Sequence, residues 1–253
     1  MTDLFAGIRN GIVLAELGGY GDGPYVARHG KGAALVMIGT YVVDEGTSLP
    51  YPEDFIFKPA RAYYEGYLKK HISAARASGA KIGVSVISQN PAHAADFLRA
   101  AEDAGADCVV LCAYSVMTMF TSVGLGVGLC RPGNRETLTR WVKELSQSAK
   151  IPFIMKMGMG VPSDTIDTVK TIVDSGAAAV HMAFNNAATS RALPSVKAVA
   201  EVCPFLIAGG GINDARAAQR LFEAGAGAVS IAAGAMRDAG LCGRLQAELR
   251  KEP

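Results

Sequence analysis

The four stretches IPFIMKMGMG (151–160), AAAVHMAF (177–184), PFLIAGGG (204–211) and AVSIAAGA (228–235) decide the fold. Each is a short, nearly continuous apolar run, and amphipathic segments of helical length separate them. Strands that face water on one side alternate apolar and polar residues, whereas strands of a parallel sheet covered on both faces do not. Working outward, the same unit recurs towards the N-terminus. Strands are expected at 12–18, 33–41, 81–88, 108–114, 152–157, 177–184, 204–209 and 228–233. The intervening helices are expected near 23–29, 60–79, 91–105, 135–149, from a cap at Ser163 to just before Gly176, 193–202, 213–225 with Asn213 as N-cap, and 241–252. Pro91 suits a first helical turn, and Gly79 stops the helix before it. Eight β–α units in 253 residues predict a single (β/α)8 TIM barrel over 1–253. An open doubly wound sheet is the alternative. The count of eight and the lack of a GxGxxG turn after the first strand favour closure.

Composition narrows the function classes. The chain is 50% hydrophobic and 19% charged, enough for a large core and too apolar for disorder. The net charge is +2 and no basic block exceeds Lys69-Lys70, so no nucleic-acid footprint is visible and nucleic acid is not an expected partner. Cys108, Cys112, Cys130, Cys203 and Cys242 form no CxxC pair and no metal-like spacing with histidine, so no metal is expected. MTDLFAGIRNG lacks the basic and apolar regions of a signal peptide, and no run reaches membrane-spanning length. A soluble protein of a reducing, cytoplasmic compartment is expected. Tyr63, Tyr64 and Tyr67 permit a homo-oligomer interface or pack on neighbouring helices.

In a barrel, function lies at the strand C-termini. Gly209, Gly210 and Gly211 end the seventh strand, and Ala233-Gly234 ends the eighth. Small residues before helix starts let backbone N–H groups approach a phosphate. Lys156 interrupts the fifth strand, where an unpaired buried amine is costly, and His181 sits in the sixth. Either can bind a ligand or move a proton, and an amine can also form a Schiff base. Glu16 is a carboxylate in the first strand, which suggests a polar cavity or a lysine partner. Asp22 follows it as a cap or a surface group. Gln89 and Asn90 end the third strand, for a ligand amide or a helix cap. Ser115 opens SVMTMFTSVGLGVG, whose methionines and Phe120 suit an apolar lid or packing on the barrel top.

These segments resemble the flavin barrels of the dihydrouridine synthase and dihydroorotate dehydrogenase superfamily, over nearly the whole chain. They look closest to a short, barrel-only branch related to the dihydrouridine synthases. The resemblance implies FMN as cofactor. IPFIMKMGMG is similar to the segment with the flavin-contacting lysine, here Lys156, and AAAVHMAF to that with the flavin-site histidine, here His181. The stretch from Ile207 to Met236 is similar to the FMN-phosphate region, implicating Gly210, Gly211, Ala233 and Gly234. Gln89 and Gly209 join that expected cofactor set. Two segments depart from the family pattern. Leu17–Asp22 reads LGGYGD where Met-Ala-Gly-x-Thr-Asp is usual, and Ser115 takes the place of the synthases' active cysteine. No helical RNA-binding domain is expected beyond the last helix, 241–252. The expected activity is therefore an FMN-dependent oxidoreductase on a small (hetero)cyclic substrate rather than tRNA. Its catalytic residues would be Lys156, His181, Ser115 and Glu16. Two alternatives stay open. One is a flavin-free lyase, synthase or isomerase using Lys156 on a phosphorylated metabolite, for example in cofactor biosynthesis. The other is a non-catalytic binding subunit with a degenerate flavin site.

Overall fold

The computed structural model describes residues 3–45 and 51–251. Eight strands carry the fold: β1 (Gly11–Leu14), β2 (Leu35–Val43), β3 (Lys81–Ile87), β4 (Cys108–Ala113), β5 (Phe153–Gly158), β6 (Ala179–Ala183), β7 (Leu206–Gly209) and β8 (Ala228–Ile231). Each pairs in parallel with the next. The sheet closes where Gly11 to Leu14 of β1 meet Ala228 to Ile231 of β8. A two-residue strand, Ile56–Phe57, lies against the end of β2. The protein is a closed (β/α)8 barrel, as the run of eight units predicts.

The helices are α1 (Asp3–Ile8), α2 (Gly23–His29), α3 (Arg61–Ala75), α4 (Pro91–Asp103), α5 (Thr118–Thr121), α6 (Arg135–Ser148), α7 (Pro162–Asp174), α8 (Leu193–Ala200), α9 (Ala215–Glu223), α10 (Ala233–Arg237) and α11 (Leu241–Leu249). Two expected caps are corrected. Helix α7 starts two residues early because Pro162 takes its first turn, so Val161 rather than Ser163 is the N-cap and the Ser163 hydroxyl turns to Asp164. Helix α9 is capped by Asp214, whose Oδ1 accepts from the Ala217 N–H at 2.7 Å, rather than by Asn213. The last helix ends at Leu249, and Glu252 of its expected span lies outside the described residues.

Side chains alternate in and out along a strand, so a barrel has two cores. Inside it, Val13, Met37, Val110, Ile154, Ala179 and Ile207 belong to one buried cluster. Leu4 and Ile8 of α1 join that cluster and plug the end where the strands begin. The larger cluster packs the outer strand faces against the helices. Tyr64 belongs there, fully buried, with its ring 4.9 Å from that of Phe97, and Tyr67 packs alongside. Only Tyr63 of the three tyrosines is exposed. Phe120 is buried in this larger cluster, with Met117 and Met119 packed against it, whereas Val116 and Val123 of the same segment are exposed. Among the described residues no helix is long and apolar enough to cross a membrane.

Candidate active site at the barrel mouth

Moving two residues along the inward-facing positions, towards the strand C-termini, changes the chemistry. Above Ile154 comes Lys156, above Ala179 comes His181, above Ala228 comes Ser230, above Val110 comes Cys112, and above Gly83 comes Ser85. The apolar filling gives way to a polar layer. Strand register sets Lys156 beside His181 on one side and beside Cys112 on the other. All five side chains are buried.

Glu16 comes from the turn just after β1 and reaches into this layer. Its Oε2 lies 3.1 Å from Lys156 Nζ and 3.6 Å from His181 Nδ1. Its Oε1 accepts from the Ser85 hydroxyl at 3.3 Å, and Ser85 Oγ lies 3.0 Å from Thr40 Oγ1. On the far side of the imidazole, His181 Nε2 is 2.9 Å from Ser230 Oγ. Glu16 Oε2 is thus held by the Lys156 ammonium, whereas His181 Nδ1 is a buried polar atom without a hydrogen-bond partner among the described residues. Unbonded buried polar atoms are uncommon, and this one faces the Glu16 carboxylate at 3.6 Å.

Electrostatics sort the three groups. Burial pushes the Glu16 carboxyl up, but the charge of Lys156, then that of His181, outweighs it, and the carboxyl ends below its ordinary value. Burial first, and the Lys156 charge second, push His181 down to about 4, against the pull of Glu16. The imidazole is therefore neutral at pH 7, able to donate through one nitrogen and accept through the other. Burial pushes the Cys112 thiol up, with Lys156 opposing, so it remains a thiol.

The layer floors a pocket of about 280 Å³ lined by Lys156, His181, Ser230, the Gly209–Gly211 turn, Ala233, Gly234 and Arg237. Gly210 and Gly211 hold φ of 130° and 72°, and a Cβ on Gly210 would fall 1.9 Å from the Phe184 carbonyl oxygen. Only glycine fits there. Among the described residues the Gly210 and Gly211 amides find no backbone acceptor, and the start of α10 adds unpaired N–H groups. Two further clefts open beside this pocket. One, of about 310 Å³, shares Tyr114 with it, and the other, of about 540 Å³, shares Phe184.

The structure thus brings together Glu16, Lys156, His181, Gly209, Gly210, Gly211, Ala233 and Gly234. It does not bring Ser115 or Gln89 to the pocket lining. The Ser115 hydroxyl accepts from the Met117 N–H at 3.2 Å, and the Gln89 amide donates to the Met119 carbonyl at 2.7 Å. Both side chains shape the loop after β4. Asn90 caps α4 and Asp22 caps α2. Tyr114, Ser230 and Arg237 line the pocket and went unremarked in the sequence. A serine inside the apolar run AVSIAA carried the same signal as Lys156 and His181. Among the described residues no group of three or more His, Cys, Asp or Glu could hold a metal ion.

Fold and site together define a (β/α)8 barrel with a charged polar layer beneath a glycine-rimmed cup. The dihydrouridine synthase (Dus) family model matches residues 57–252, and the chain belongs to that family. Lys156, His181 and the glycine turns lie in the matched segment, whereas Glu16 and Leu17–Asp22 lie before it. No curated protein sequence matches the chain. Among solved structures, DHODH from Eimeria tenella in complex with ferulenol aligns with a TM-score of 0.71 at 15% identity, covering 94% of this chain and 80% of that one. Morphinone reductase in complex with tetrahydroNAD gives 0.71 at 13%, covering 94% and 86%. Dihydrodipicolinate synthase from Aquifex aeolicus gives 0.59 at 16%, covering 96% and 76%. At such identities these likenesses show the fold.

Proposed function

We propose that the protein is an FMN-dependent oxidoreductase of dihydrouridine synthase type, acting on a small (hetero)cyclic substrate. One observation carries this: Lys156 and His181 share the floor of a pocket whose rim is a glycine turn with free amides. That donor set suits FMN at both ends. The Gly210 and Gly211 amides, the first turn of α10 and Arg237 would hold its phosphate. Lys156 and His181 would hydrogen-bond the polar edge of its ring. FMN, when bound, supplies the hydride chemistry.

The chain's own residues do the rest. The Lys156 ammonium supplies positive charge where a reduced ring gathers negative charge. Glu16 fixes the direction of that ammonium, and Ser230 fixes the plane of the His181 ring. Tyr114 lines the pocket and is exposed, a protic side chain within reach of a bound substrate, while Ser115 serves its own turn. An ammonium locked to a buried carboxylate is a donor rather than a nucleophile, which disfavours the Schiff-base alternative.

The test is an absorbance spectrum of the purified protein, followed by FMN titration. Flavin bands, or tight uptake of FMN that Lys156→Ala weakens at least tenfold, are expected. A colourless protein that takes up no FMN overturns the proposal.

A further inference from the structure

The largest of the three clefts at the mouth is not used by any step above. It holds about 540 Å³ and lies over the segment between β6 and α8. Its polar lining is Asn185, Asn186, Thr189, Arg191 and Ser195, and it contains no aspartate or glutamate. Among the described residues Arg191 makes no ion pair and its side chain makes no hydrogen bond. Its setting, rather than the lack of a partner alone, sets it apart: it is exposed at a cleft whose lining offers it no carboxylate. A guanidinium in a concave site, surrounded by neutral donors and free of carboxylates, matches the planar, two-oxygen face of a carboxylate or phosphate.

Position ties the cleft to the chemistry. Phe184 forms a wall common to it and to the Lys156 pocket, and Met159 and Gly160 join it to the third cleft. Arg237 stands elsewhere, in the inner pocket beside the glycine turns. Arg131, the arginine of the third cleft, has Asp164 in the same lining, whereas neither the Arg191 cleft nor the Arg237 pocket contains a carboxylate, so each can take its own anion. The inner one is accounted for by the cofactor phosphate.

We infer that the Arg191 cleft is the subsite for an anionic group of the substrate, which is therefore a small ring compound bearing a carboxylate or phosphate. The ring would stand over the Lys156 pocket and the anion would lie against Arg191. The inference rests on the flavin proposal only for where the ring sits.

The test uses calorimetry on the protein saturated with FMN. Inorganic phosphate, benzoate, uridine 5′-monophosphate and uncharged uridine are titrated into the wild type and into Arg191→Gln. At least one anion is expected to bind the wild type and to bind Arg191→Gln at least tenfold more weakly; which anion does so tells carboxylate from phosphate. Uridine should be indifferent to the change, and FMN content, read from absorbance, should be equal in the two proteins. Equal anion affinities in both proteins overturn the inference, as does failure of all three anions to bind. Arg191-dependent binding shown only by a tRNA transcript also overturns it, and makes the cleft a nucleic-acid contact. If the protein takes up no FMN, the flavin proposal fails alone. The same titrations in an Arg237→Gln background, with the inner anion site weakened, still read Arg191.

Discussion

Glu16 decides how the polar layer behaves, because one buried carboxylate serves both an ammonium and an imidazole. Removing one member of a buried pair leaves the other charge uncompensated. Glu16→Ala should therefore destabilise the protein by about 3 kcal/mol, and Lys156→Met in the same chain should restore much of that loss. Urea unfolding of the two single variants and the double variant checks it, and additive losses would show that the pair is not coupled. The acid side of the stability curve follows from the same residues. The His181 imidazole takes a proton at 6.5 in its ordinary state but only at about 4 in the fold. Above pH 6.5 it is neutral in both states and no stability is lost. As pH falls from 6.5 to about 4 the unfolded chain gains a proton that the folded chain refuses, so stability drops by roughly 3 kcal/mol. His71, also lowered by burial, acts in the same direction, and the lowered Glu16 adds its loss below its ordinary value of 4.5. Urea midpoints at pH 7 and pH 4 should therefore separate less in His181→Gln than in the wild type. An unchanged separation would mean that His181 titrates normally. Lys156, His181 and Glu16 were legible in the sequence because a charged or polar residue in an apolar strand is hard to explain as core. Tyr114 and Arg237 were not, since an exposed aromatic or arginine in a loop looks like any surface residue.

Elements were legible where local physics alone decides them, and less so where a neighbour does. Helix α2 starts at Gly23 and ends at His29, as expected, because Asp22 caps it and Pro24 fits its first turn. The short helices α1, α5 and α10 were missed, since six, four and five residues are too few to show a helical period. At α9, two adjacent residues could both cap, and only the chain direction at the end of the glycine turn selects Asp214 over Asn213. Asp214→Ala should cost about 1 kcal/mol, and Asn213→Ala a few tenths at most. Thermal or urea unfolding distinguishes them, and equal effects would mean that the cap is shared. The glycine turn before α9 has a different sensitivity. Gly210→Ala forces a Cβ into the Phe184 carbonyl at a φ of 130°, so the turn must move. A loss of more than about 1 kcal/mol is expected, together with loss of FMN uptake. Normal uptake in that variant would show that the turn does not form the phosphate grip.

At the scale of the whole barrel, closure and ligand binding share the same seam. Strand β8 pairs with β1 on one side and β7 on the other, and the proposed phosphate grip spans the loops that follow β7 and β8. The closed sheet was legible from the count of eight apolar runs, but the seam's second use was not, because it depends on which loops meet in space. A ligand held across the seam binds only the folded barrel. FMN at a hundred times its Kd should then raise unfolding free energy by about 2.7 kcal/mol, or roughly 5–10 °C in Tm for a chain of this size. Arg237 is exposed and makes no ion pair among the described residues, so Arg237→Gln should leave the Tm of the FMN-free protein within a degree or so. At the same FMN concentration, a tenfold weaker grip would cut the ligand-induced gain by about 1.3 kcal/mol. Thermal melts of both proteins with and without FMN check this. An Arg237→Gln protein that gains as much from FMN as the wild type would place the phosphate away from the seam. It would also leave Arg237 as free as Arg191 to meet some other anion.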